Sequence, residues 1–119
     1  MIVGVAEEYL NEKALTVPLG YNGYKVMSVG PRAFEGASLE KLIFTEDTNV
    51  RRFENGAFIG AGKITDIYIY YPDCTDIEPP ADNFDGINED FKVHIPAGSG
   101  YKNDPYGWGD MDITYEYID

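Results

Sequence analysis

One cysteine and one histidine, Cys74 and His94, are all that the chain offers of the side chains most used for nucleophilic and metal chemistry. A lone cysteine cannot close an internal disulfide, which fits a reducing compartment. One His and one Cys cannot supply a structural zinc tetrahedron. Nor do they read as a nucleophile with its base, because Cys74 lies in "YYPDC" just past one strand and His94 on the next. Long apolar runs are also missing, and nothing approaches the ~18 residues that span a bilayer. The first ten residues, "MIVGVAEEYL", have no basic n-region and reach two glutamates after six apolar or small residues, so they do not read as a signal peptide. The expected location is cytoplasmic, or extracellular if a leader has been removed.

Bases are scarce. Nine Lys and Arg stand against 21 Asp and Glu, for a net charge of -12, and residues 60–119 carry thirteen acids against three bases. Such a body repels nucleic acid and anionic lipid, so neither direct nucleic-acid binding nor a membrane partner is expected, whereas a basic surface is attracted.

Motifs for chemistry fail one by one. In "ADNFDGINEDFK", setting Gly86 at the sixth place of a calcium loop puts Ala81 first and Lys92 twelfth, where an acidic ligand is required. A looser oxygen site at Asp82, Asp85 or Asp90 stands beside the plainer reading of a solvated acidic turn, and no metal is assigned. "PAGSGYKNDPYGWG" lacks the GK[ST] of a phosphate loop and sits among anions. No pair of carboxylates has a context that marks it as acid and base. Neither an enzyme nor a cofactor is expected.

What is present is a repeat. "AFEGA", "AFIGA" and "NFDGI" align on Phe34, Phe58 and Phe84 at intervals of 24 and 26 residues, each followed two places later by Gly36, Gly60 or Gly86. A period of this size is the mark of a solenoid. After each phrase comes a short alternating run, Leu42–Ile43–Phe44, Ile67–Tyr68–Ile69 and Val93–His94–Ile95, and "LTVP" from Leu15 to Pro18 matches "VHIP" as a fourth strand. Val29, Phe53 and Ile77 recur ahead of each phenylalanine and are expected to fill the interior from the opposite wall. One coil cannot bury these positions alone, whereas stacked coils turn them into a continuous core. A β-sandwich of seven strands is the competing architecture, but it does not require the same side chains at the same phase.

These residues resemble the BspA-like leucine-rich repeats of bacteria, their phages and some protozoa. The likeness runs from about Ala14 to Asp112 and includes "GYNGYKVMSVGPRAFEGASLEKLIF", similar to an entry coil with its hairpin, and "VHIPAGSGYKNDPYGWGDM", similar to a terminal cap containing Tyr101 and Trp108. Family members usually carry cysteine after the "AF-x-G" glycine, where this chain has Ala37, Ala61 and Ile87. The likeness implies a mainly β leucine-rich-repeat solenoid of about three to four coils, with one short parallel strand per coil and an irregular or short helical convex side. Within a single domain, residues 1–13 are expected to form an N-terminal cap and 14–26 an incomplete entry coil. Coils at 27–50, 51–74 and 75–96 would follow, then a C-terminal cap at 97–119.

Strand alternation then points Lys41, Ile43 and Thr45 outward, with Asp66, Tyr68 and Tyr70 in the next coil and Lys92 and His94 in the last. Tyrosine on a rigid flat surface gives a large contact area at low entropic cost, though tyrosine also simply suits strands. The family likeness implies a non-enzymatic protein-binding module using this face. The alternative is an acidic nucleic-acid mimic, encoded by a phage or mobile element, that inhibits a host defence enzyme. Its contact would be Asp82, Asp85, Glu89 and Asp90. A virion structural or decoration component is a further alternative.

Overall fold

The short alternating runs become strands at the same phase in successive coils. The computed structural model describes residues 13–21, 23–73, 76–82, 84–101, 108–110 and 113–118. In chain order the strands are β1 (Ala14–Thr16), β2 (Gly20–Tyr21), β3 (Tyr24–Lys25), β4 (Ser28–Val29), β5 (Lys41–Phe44), β6 (Arg52–Phe53), β7 (Asp66–Ile69), β8 (Lys92–Pro96) and β9 (Thr114–Ile118). Five of them form one all-parallel sheet in the order β1-β5-β7-β8-β9. No α-helix occurs among the described residues. The architecture is a mainly β solenoid of about four turns.

Register fixes which side chains share a layer. Leu15 pairs with Leu42, Leu42 with Ile67, and Ile67 with Val93, so the inward positions line up coil upon coil. Leu42, Phe44, Ile67, Ile69, Val93 and Ile95 are all buried. The opposite wall is a second, narrow ladder in which Val29 pairs with Phe53 in parallel, continued by a single bridge from Arg52 to Glu78. Val29, Phe53 and Ile77 are buried there.

The third wall is the phrase that repeats in the sequence. Its phenylalanines stack in a column, with ring centroids 5.7 Å apart from Phe34 to Phe58 and 5.1 Å from Phe58 to Phe84. Within each turn the amide three residues after the phenylalanine closes back on that residue's carbonyl: Ala37 N–H donates to Phe34 O, Ala61 N–H to Phe58 O and Ile87 N–H to Phe84 O. Gly36, Gly60 and Gly86 take φ values of 78°, 82° and 94°, in the left-handed region that favours glycine.

The third coil is two residues longer, and its outer turn accommodates the extra length with a side chain. Between the first two coils Arg32 N–H donates to the Gly56 carbonyl at 2.7 Å. One coil later Gly56 N–H donates instead to Asp82 Oδ2, also at 2.7 Å, so a carboxylate takes the place of the main-chain acceptor.

The far end is closed by Trp108 and by β9. Trp108 is fully buried, packs edge-on against Phe53 and Tyr101, and donates from Nε1 to the Ile77 carbonyl at 2.7 Å. Tyr115 OH donates to the Trp108 carbonyl at 2.6 Å, tying β9 to the indole. The segment expected as a cap thus adds a fifth parallel strand to the sheet. At the other end, β2 and β3 form the hairpin around Gly23, while residues 1–12 of the expected N-terminal cap lie outside the described residues.

Candidate partner-binding face

Alternation along β5, β7 and β8 sends every second side chain out of the sheet, because successive residues of a strand point to opposite faces. Lys41, Asp66, Lys92 and Thr114 stand in one row across the sheet, and Thr16, Ile43, Tyr68, His94 and Glu116 in the next. Tyr70, Pro96 and Ile118 follow towards the C-terminal strand ends, with Thr45 just past the end of β5. Tyr70 is exposed at 39%, while Ile43, Thr45, Tyr68 and His94 are half-buried.

The aromatic members form an ordered row. Tyr68 and His94 stack at 4.2 Å with their planes 9° apart, and Tyr68 and Tyr70 follow at 6.4 Å and 13°. Polar contacts from both neighbouring strands also hold His94. Its Nε2 lies 2.8 Å from Asp66 Oδ1, a contact that requires the ring to carry a proton on that nitrogen, and Nδ1 faces Glu116 Oε2 at 3.6 Å. Thr65 Oγ1 donates to Asp66 Oδ2 at 2.8 Å.

Partial burial alone would raise the Asp66 carboxyl. The hydrogen bonds from His94 and Thr65, with the charges of His94 and Lys41, outweigh it and hold the group below its ordinary value. Lys92 Nζ meets Glu116 Oε1 at 2.9 Å. That hydrogen bond and charge pairing push Lys92 up and Glu116 down. The middle of the face is therefore a pre-formed surface with its polar groups already engaged, which lowers the ordering cost of contact.

The four acids of the alternative contact lie elsewhere, on and after the third outer turn. Asp82 is committed to Gly56, leaving its Oδ1 buried without a partner, while Asp85, Glu89 and Asp90 are exposed. Asp90 N–H donates to Asn88 Oδ1 at 2.9 Å, and Asn88 Nδ2 donates to the Gly62 carbonyl at 3.0 Å, so this acidic turn is braced against the preceding coil. No group of three or more His, Cys, Asp or Glu able to hold a metal occurs among the described residues. Cys74 lies outside them.

Sequence reasoning did not include β9 in the face. Glu116 fills the row beyond His94 and supplies the partner of Lys92, and the alternation of "TYEYI" is the signal that marks it. Scans against protein-family models, curated proteins and solved structures each find no match.

Proposed function

We propose that the chain is a non-enzymatic protein-binding module, built on a small BspA-like leucine-rich-repeat solenoid, that meets its partner with the outer face of the five-stranded sheet. The observation that carries this reading is the aromatic row His94, Tyr68, Tyr70, flanked by Ile43 and held in fixed register by the sheet. Rigid aromatic side chains on a flat support are the groups most often found at the energetic centre of interfaces. The sequence holds no constellation that names a reaction, and the negative charge argues for a protein partner over nucleic acid. No helix among the described residues is long and apolar enough to cross a membrane. A cytoplasmic location is part of the proposal.

The test is affinity capture from a host lysate with three proteins: the native chain, the Tyr68→Ala/Tyr70→Ala variant, and a variant with Asp85, Glu89 and Asp90 changed to lysine. Asp82 is left alone because its carboxylate holds the third turn. Loss of about 2 kcal/mol or more in the tyrosine variant, roughly thirtyfold in Kd, is expected with faster dissociation. Undiminished binding there, with loss in the lysine variant and a steep salt dependence, would replace this reading with the acidic inhibitor.

A further inference from the structure

We propose that the partner presents a basic segment in which an arginine lays its guanidinium against the exposed ring of Tyr70. This rests on the sheet-face reading above and names the chemistry that the face selects. Three observations lead to it.

The first is the geometry of the row. From His94 through Tyr68 to Tyr70 the ring planes stay nearly parallel, 9° and then 13° apart, and the row ends at the most exposed of the three rings. A ring face attracts cations, and the planar guanidinium stacks on it as another plane in the series, which the compact ammonium of lysine cannot do.

The second is a difference in charge between the two ends of the strands. Around the N-terminal ends, charges of both signs alternate and pair: Lys13 with Glu40, Lys41 beside Asp66, and Lys92 with Glu116. Beyond the C-terminal ends of β5 and β7, where Tyr70 sits, the segments carry Glu46, Asp47, Asp73 and Asp76. Arg51, between the two segments in the chain, keeps its charge while giving Nη1 to the carbonyls of Thr48 and Val50 at 2.8 and 3.0 Å, and the four acids outnumber it. Lys25 belongs to the separate hairpin β2–β3, which is not part of this sheet. The field at Tyr70 therefore favours a cation, and a chain of net charge -12 draws a basic segment towards it.

The third is that the fold already makes the same contact one residue further on. The Arg51 guanidinium carbon lies 4.5 Å from the centre of the Tyr71 ring. Tyr71 is occupied from within the molecule, whereas Tyr70 presents its ring outward.

The experiment is an NMR titration of the full isotope-labelled chain at low salt with two probe peptides of equal charge, Arg-Gly-Arg-Gly-Arg and Lys-Gly-Lys-Gly-Lys. It is run on the native protein and on Tyr70→Leu, which keeps a strand-compatible apolar side chain at an exposed position. The arginine peptide should shift the signals of Tyr68 and Tyr70 and bind about two- to fivefold more tightly than the lysine peptide, the range of an exposed cation–π contact. That preference should vanish in Tyr70→Leu. Equal affinities for the two peptides, an arginine preference that survives in Tyr70→Leu, shifts confined to other surfaces, or no binding would each overturn the proposal. If the proposal fails in this way while Tyr68→Ala/Tyr70→Ala still abolishes capture of the partner, the sheet face stands and only its arginine preference falls. If capture is also unaffected, both fall.

Discussion

Gly36, Gly60 and Gly86 hold one position in three successive coils and share a left-handed backbone, so alanine at any of them meets a conformational penalty of about 1 to 2 kcal/mol. Their neighbours differ. Gly36 lies in the first of the three turns, and a Cβ built there has nothing within 4 Å among the described residues. At Gly60 the added carbon would lie 2.6 Å from Glu35 Cγ and 3.1 Å from its Cα, and at Gly86 it would lie 2.6 Å from Ile59 Cα and 2.7 Å from the Phe58 carbonyl oxygen. Main chain cannot swing aside as a side-chain tip can, so forcing the coils apart adds roughly 1 to 3 kcal/mol of overpacking. The expected order of loss is Gly36→Ala, then Gly60→Ala, then Gly86→Ala, from about 1–2 up to about 2–5 kcal/mol. For a chain of this size each kcal/mol lowers Tm by about 3 to 5 °C. Urea and thermal unfolding followed by far-UV circular dichroism would measure the series. Equal losses at Gly36 and Gly86 would refute the reasoning, because backbone conformation alone, and not the stacking of coil on coil, would then require the glycine.

Two further outcomes follow from the core and from the ion pairs. Phe58 is buried between Phe34, Phe53 and Phe84, so Phe58→Ala should cost about 3–5 kcal/mol in urea unfolding; an unchanged midpoint would contradict the phenylalanine column. Asp66 is held below its ordinary value, so the folded state gains from its ionised form at any pH above that value and loses the gain as pH falls through the lowered one. The native chain should therefore exceed Asp66→Asn in urea midpoint near neutrality, and the two should converge below about pH 4; curves that stay parallel down to pH 2 would show that His94 and Thr65 give Asp66 no preferential hold.

The solenoid was legible because its core is written in phase. Phe34, Phe58 and Phe84, the glycines two places on, and the inward residues of β5, β7 and β8 recur every 24 to 26 residues in the same order, as stacked coils require. The recurrence of Val29, Phe53 and Ile77 likewise placed the opposite wall. β9 escaped because no phenylalanine–glycine phrase precedes it: its coil closes through Trp108, and only neighbouring register shows Glu116 beside Lys92. The role of Asp82 was hidden for another reason. A two-residue lengthening is visible in the sequence, but that a carboxylate would replace a carbonyl as acceptor for Gly56 depends on where the turn comes to rest. Outward residues were placed by alternation, yet their ion pairs were not, since Asp66, His94 and Glu116 come from three different coils.

The all-parallel sheet also decides how the chain can find its shape in time. Except for the hairpin β2–β3, no strand can pair with its predecessor until the intervening chain has travelled once around the coil, as Leu42 must wait for Ile67 and Ile67 for Val93. Every such pairing closes a loop of about 25 residues before its first sheet bond forms, so the entropic cost falls most heavily on the initial pair of coils. Once two coils stand together, another meets a finished edge and a ready stack of rings, so growth can spread one turn at a time in either direction.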